Sequence, residues 1–171
     1  MITSTVLRPV DPAHFRAVMR HLPTGVVAIC ATDPVTGTPS GLVVGSFQSL
    51  SLEPALVTFS VTHTSTSWPK ISRAQQFSVN LLAEDQQSVC GALSSKSEDK
   101  FASINWHESS YGSPHITGSL GWIDCRVEQE IVAGDHLIVI AAVQEMTASD
   151  GGDPLVFHGG QLGGFRQRLA A

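Results

Sequence analysis

Three stretches of the 171-residue chain carry residue types that act through placement and hydrogen bonding rather than intrinsic reactivity. The first runs Gly41-Leu42-Val43-Val44-Gly45-Ser46-Phe47-Gln48-Ser49-Leu50-Ser51-Leu52-Glu53-Pro54. Small and hydroxyl residues interrupt a strand there, and Gly45 and Ser46 let a backbone come close to a flat ligand with amide and hydroxyl hydrogen bonds on offer. A bulged strand entering a turn is the plainer alternative. The second runs Thr62-His63-Thr64-Ser65-Thr66-Ser67-Trp68-Pro69-Lys70-Ile71, with hydroxyls at five of its first six positions. Hydroxyls and free amides ahead of a helix suit a phosphate. Capping accounts for one or two such hydroxyls, but not for five. The third, Ser94-Ser95-Lys96-Ser97-Glu98-Asp99-Lys100-Phe101, sets two lysines among serines. It reads as a solvated loop or as a place where Lys100 neutralises a phosphate.

Other chemistries lack their residues. There is no HExxH, no GxSxG elbow and no Walker loop, and His14, His21, His63, His107, His115, His136 and His158 are scattered. No metal site is expected. Gly159-Gly160-Gln161-Leu162-Gly163-Gly164 looks like a dinucleotide fingerprint, but that motif needs a helix behind it and an acidic residue about 20 positions on. Only seven residues follow Gly164. Cys30, Cys90 and Cys125 are far apart with no CxxC pair, so buried thiols in a reducing compartment are expected.

Composition narrows the class further. The chain is 42% hydrophobic and 15% charged, with a formal net charge of −5. That is too apolar for intrinsic disorder and gives no general attraction to nucleic acid. The low charge density suggests a covered surface, as in an oligomer. The longest apolar run, Leu137 to Val143, is far short of the roughly 20 residues a membrane span needs. Met1 to Pro12 has no apolar stretch of the signal-peptide kind. A soluble cytoplasmic protein with no membrane partner is the expectation.

The elements that must position these residues are mostly strands. Asp11 caps a first helix, Pro12 suits its first position, Phe15, Val18, Met19 and Leu22 recur at helical spacing, and Pro23 ends it. Strands are expected at Val26–Ala31, Leu42–Phe47, Ala55–Val61, Phe77–Leu82, Ile123–Ile131, Leu137–Val143 and Pro154–Phe157, with turn residues at 33–39. Ile123, Cys125, Val127, Gln129 and Ile131 alternate with Asp124, Arg126, Glu128 and Glu130, one face for a core and one for water. Gly134-Asp135 then turns the chain into a long antiparallel hairpin. Short helices fit Ser65–Ala74 and Glu84–Leu93. Six or seven strands with short helical excursions indicate a β-barrel in one domain spanning 1–171. A doubly wound sheet is disfavoured because long helices do not alternate with the strands.

Taken in order, these segments resemble the short-chain flavin reductase family. The matching stretches, between about Phe15 and Phe165, are FRAVMRHLPTGVVAICA, GLVVGSFQSLSLEPALVTFSV, TSTSWPKI, FSVNLLAEDQ, DKFASINW, GSLGWIDCRV, GDHLIVIAAV and PLVFHGGQLGGF. The resemblance implies a mainly β fold, an antiparallel Greek-key FMN-binding split β-barrel with short flanking helices, assembled as a homodimer. It implies binding of FMN or FAD, oxidation of NADH or NADPH, and release of reduced flavin to a separate monooxygenase. A flavin-binding electron-transfer protein that keeps its cofactor is the alternative within the same fold.

Residue by residue, the resemblance places Val43, Val44, Gly45, Ser46, Phe47 and Ser49 at the isoalloxazine edge. It places Ser65, Thr66, Ser67 and Trp68 on the ribityl and phosphate side, and Asn80, Leu81 and Leu82 as backbone contacts. Ser94 and Lys100 become phosphate partners, with Phe101 beside them. His136 faces the nicotinamide, and Phe165 borders the same pocket. Relatives commonly carry Thr and Asn where this chain has Val43 and Gly45, so two side-chain hydrogen bonds are replaced by backbone. Hydride passes from nicotinamide C4 to flavin N5 between stacked rings, so the protein supplies geometry rather than an acid–base pair.

Overall fold

The structure is a computed structural model and describes residues 10–166. The ends of the expected 1–171 domain, with most of the Met1 to Pro12 stretch, lie outside the described residues. Helix α1, Pro12–Met19, begins as its sequence predicts: the Asp11 carboxylate accepts the His14 backbone N–H at 2.9 Å. Its apolar face is not buried, and Phe15, Val18 and Met19 are all about half exposed or more. Two-residue β1, Thr24–Gly25, leads into β2, Val27–Thr32, whose residues are nearly all buried.

The expected turn follows, with the Asp33 carboxylate accepting from Val35 N–H and Gly37 at φ 69°. Strand β3, Pro39–Val44, stops three residues short of the expected Phe47. The reason is local: from Gly45 the chain bends, and Ser46 spends its side chain on the backbone of another strand. Next come β4, Gln48–Leu52, and β5, Ala55–Thr62. Helix α2, Trp68–Arg73, leads to β6, Gln76–Leu81, and then to α3, Gln87–Ser94.

The short hairpin β7, Trp106–Glu108, and β8, Pro114–Ile116, precedes the longest pair, β9, Gly121–Ala133, and β10, His136–Ala148. Strands β11, Leu155–His158, and β12, Gln161–Gly164, close the described chain. Twelve strands among the described residues replace the expected seven. The additional five (β1, β4, β7, β8 and β12) have two to five residues each, too few for a periodicity to show.

Seven strands form one antiparallel sheet in the order β3-β2-β6-β9-β10-β5-β4. The curled sheet encloses a core in which Phe59, Trp68 and Phe77 meet edge to face, with centroids 5.4 to 6.3 Å apart. A second apolar cluster joins the outer side of β2 to α3, β8 and β11 through Cys30, Leu93, Phe101, Ile116 and Leu155. Gly41 permits that packing, since a Cβ there would meet Leu93 at 2.9 Å. A three-stranded sheet, β1-β11-β12, flanks the barrel.

The alternation read on β9 holds for Ile123, Cys125 and Val127 against Arg126 and Glu128, but fails at Asp124, Gln129 and Ile131. Asp124 is buried because Ser109 and His115 hydrogen-bond both of its oxygens, and Gln129 and Ile131 are exposed because the hairpin runs past the core. All three cysteines are free and buried, as expected. Burial pushes the Cys125 thiol up to about 12 and Cys30 further still, which leaves both inert as nucleophiles.

Candidate functional site

A cleft of about 800 Å³ opens where the β3–β4 bend, the end of β5, the loop before α2 and the loop after α3 converge. Val43, Val44, Gly45 and Ser46 form one wall, Ser65, Thr66 and Ser67 the next, and Ser94 and Lys100 the third, with His136 at the rim. These ten residues are the part of the expected site that the fold brings together.

Hydrogen bonds shape each wall. Ser46 Oγ accepts the Ser60 N–H at 2.9 Å and donates to the Ser60 carbonyl at 3.2 Å. A side chain thus joins the end of β3 to β5, across the gap between the two ends of the sheet. Gly45 sits against Thr24 of β1, and a Cβ on residue 45 would lie 2.6 Å from Thr24 Oγ1. The threonine therefore occupies the space that a side chain in place of Gly45 would need.

On the second wall, Ser65 Oγ accepts the N–H of Trp68, the first residue of α2, at 3.1 Å, whereas the N-cap residue Ser67 makes no capping side-chain bond. Thr62 and Thr64 hydroxyls pair at 3.1 Å. Ser67 is buried and accepts from Lys100 Nζ at 3.0 Å, while the same ammonium donates to the Leu93 carbonyl at 2.8 Å near the end of α3. Lys100 thereby ties the second wall to the third. Its pKa lies below the ordinary lysine value, first because of partial burial and then because Lys70 is also positive.

His136 opens β10, where it pairs with Thr62 of β5 and Ala133 of β9. Its Nδ1 lies 2.7 Å from the Asp135 carboxylate. The carboxylate is held below its usual range chiefly by that hydrogen bond and then by the histidine's charge. With Nδ1 engaged, Nε2 is the ring nitrogen left for a ligand in the cleft.

Eight expected residues lie elsewhere in the chain as folded. Phe47 packs against the barrel core, and Ser49 is exposed on β4. Trp68 is buried in the aromatic trio and donates Nε1–H to Glu130 at 3.0 Å, so it anchors the loop rather than lining the cleft. Asn80 is fully buried: its amide donates to the carbonyls of Ala28 and Pro114 and accepts from Ile116 N–H. Leu81 and Leu82 pack into the two apolar clusters. Phe101 is buried edge to face with Trp106, and Phe165 is 60% exposed away from the cleft.

Sequence reasoning missed Leu42, Ser60, Val61, Thr62, Thr64, Leu93, Ser95, Lys96 and Ser97 as lining residues. Leu42, Thr62, Thr64, Ser95, Lys96 and Ser97 stood inside stretches already singled out. Ser60 and Val61 carry no local signal, since only the barrel's closure brings β5 beside residue 46. Among the described residues, no group of three or more His, Cys, Asp or Glu side chains is placed to hold a metal ion.

Residues 19–166 match the family described as flavin reductase like domain. The chain belongs to this family. A flavin reductase of Pseudomonas putida is 48% identical over 156 residues, covering 91% of each chain. The reductase subunit HsaB of a flavin-dependent monooxygenase from Rhodococcus jostii is 45% identical, over 91% of this chain and 78% of its own. The FMN reductase (NADH) SmoA of Agrobacterium fabrum is 36% identical, over 90% and 86%. Among solved structures, nitrilotriacetate monooxygenase component B from Mycobacterium thermoresistibile superposes with a TM-score of 0.88 at 38% identity, over 94% of this chain and 91% of that one. The mainly β, antiparallel split barrel expected from the resemblance is therefore the fold of this flavin reductase-like chain.

Proposed function

We propose that the protein is an NAD(P)H:flavin oxidoreductase that reduces FMN or FAD in this cleft and supplies diffusible reduced flavin to a separate monooxygenase. The observation that carries the proposal is the cleft itself, with a glycine-and-hydroxyl wall facing a wall of hydroxyls and lysines. One side suits a flat ring and the other a phosphate. Family membership and the relatives' names point the same way.

The residues fit the group. Gly45 and Ser46 line one side of the cleft and Thr66 another, and Lys100 holds its cation on the Ser67 hydroxyl there. When bound, the flavin supplies the chemistry by taking a hydride from a reduced nicotinamide. Val43, Val44, Gly45 and Ser46 would fix the ring plane, while Ser65, Thr66, Ser67, Ser94 and Lys100 would hold the ribityl phosphate. His136 would orient the nicotinamide amide through Nε2, with Asp135 fixing the ring's tautomer.

The same reading includes a homodimer. The unburied apolar faces of α1 (Phe15, Val18, Met19) and of Leu22 and Phe157 support it, since patches of this kind mark interfaces. Cytoplasmic placement and a single domain over the whole chain belong to the proposal as well. The three free buried thiols and a nicotinamide donor suit a reducing compartment.

Purified protein should oxidise NADH at a rate that rises and saturates as FMN or FAD is added in excess. Stoichiometric bound flavin with no response to added flavin would instead make it an electron carrier that retains its cofactor.

A further inference from the structure

The β9–β10 hairpin outruns the barrel. Strand β6 pairs with β9 from Gly121 to Arg126, and the Val127 N–H reaches the Gln75 carbonyl at 2.9 Å. Beyond that point β9 has a strand on one side only, β10. A bulge marks the change: Val127 pairs with Ala141 and Gln129 with Ile140, which leaves Glu128 without a partner. Such a bulge bends its strand and re-aims what lies beyond it. Residues 128–133 are all exposed. The other strand, β10, is held by β5 as far as the pair His136 and Thr62.

One side chain fastens the overhanging part of β9. Glu130 pairs with buried Val139, so its side chain shares the face that turns toward the core. Its carboxylate accepts the Trp68 Nε1–H at 3.0 Å. Among the described residues, no other side-chain hydrogen bond or ion pair joins residues 128–133 to an element outside the hairpin. A charged acceptor makes this the stronger kind of hydrogen bond. Trp68 is also where the contact meets the cleft. It follows Ser65, Thr66 and Ser67 in the chain, Ser65 Oγ holds its backbone N–H, and Phe59 and Phe77 fix its ring. The hairpin that carries His136 beside its turn is thus tied to the residue that steadies the hydroxyl wall.

We propose that Glu130 is a positioning residue: acting through Trp68, it sets the spacing between His136 and the wall of Ser65, Thr66 and Ser67, and with it the placement of the nicotinamide on the flavin. A misplacement of about 1 Å that originates far from the reacting atoms can cost on the order of a hundredfold in rate. The inference rests on the reading of the cleft as the flavin site with His136 on its nicotinamide side.

The test compares Glu130→Ala with Glu130→Gln, which keeps an oxygen acceptor for the indole N–H. In Glu130→Ala the KM for NADH at saturating FMN should rise about tenfold, while the dissociation constant for FMN changes by less than about twofold. Glu130→Gln should keep both wild-type values. The Trp68 indole N–H resonance, assigned through Trp68→Phe, should move in the alanine variant and stay in place in the glutamine variant. An unchanged KM in Glu130→Ala overturns the inference, as does an equal rise in both constants, which would mark a general loosening. A glutamine variant as impaired as the alanine one overturns it too. Thr64→Trp, at an exposed position on the cleft wall, separates the two readings. Loss of FMN binding in that variant with an unaltered KM in Glu130→Ala removes the positioning role alone, and unchanged FMN binding removes the cleft reading and the inference with it.

Discussion

Ser46 and Ser60 form a two-way clasp in which the Ser46 hydroxyl accepts the Ser60 N–H and donates to the Ser60 carbonyl. It does with one side chain what a rung of strand pairing would do, and it holds open the wall against which a ring would lie. Ser46→Ala should lower stability by about 1 kcal/mol, as for a lost hydrogen bond. The Michaelis constant for flavin should rise with it. Thermal melting and steady-state kinetics check the two together, and Ser46→Thr should recover most of both.

Gly45 and Thr24 compete for one volume. Gly45→Ala forces a contact of 2.6 Å on Thr24 Oγ1, so it should destabilise the protein and weaken flavin binding. Adding Thr24→Ala removes that oxygen and should restore much of the loss. A double-mutant cycle in melting temperature measures the coupling. Two additive effects would show that the contact is relieved some other way.

At the rim, His136→Ala should raise the Michaelis constant for the nicotinamide by more than it changes the dissociation constant for flavin. Asp135 is 95% exposed in its side chain, so Asp135→Ala should leave the melting temperature unchanged. It should still lower turnover, because the imidazole loses the group that fixes its tautomer. Equal effects on both ligands would mean that His136 only closes the hairpin.

Lys100 sets a pH limit. Its folded pKa lies below the ordinary lysine value of 10.5. The unfolded chain therefore binds more protons across that alkaline window, and this group's contribution to stability rises with pH there. Ligand affinity moves the opposite way. FMN binding should be flat through neutral pH and fall in the alkaline range before 10.5 is reached, whereas riboflavin binding should not follow. Lys100→Ala should weaken FMN binding by about 1–3 kcal/mol. It should also lower the melting temperature, because Ser67 and the Leu93 carbonyl lose a partner. Isothermal titration across pH and a thermal melt read the two effects separately.

The barrel was legible wherever a strand was long or punctuated. The run from Val26, the turn at Asp33 to Pro39 and the hairpin around Gly134 all announce themselves in residue types. What remained hidden depends on contacts distant in sequence. Asn80 is expected only as a backbone contact, and nothing in its surroundings along the chain shows that β2 and the β7–β8 hairpin bring three backbone partners to its buried amide. Asp124 sits on the water face of an alternating pattern until His115 and Ser109 cover it. In the cleft, the hydroxyl run and the lysine loop stood out by composition. Trp68, read with them, belongs to the core because Phe59 and Phe77 receive it.

The β2–β3 register carries Thr24 beside Gly45, and the far end of the chain then covers the Thr24 segment. Thr24 and Gly25 pair with Phe157 and Val156, and Arg20 donates to the Gly159 carbonyl at 2.7 Å. Bringing those segments together closes a ring of more than a hundred residues, which costs on the order of 4 kcal/mol in chain entropy. Contacts this remote in sequence form slowly. A refolding chain should therefore acquire the seven-stranded barrel first and finish the ring-edge wall afterwards. In a refolding experiment, competence to bind flavin should lag behind the recovery of secondary structure.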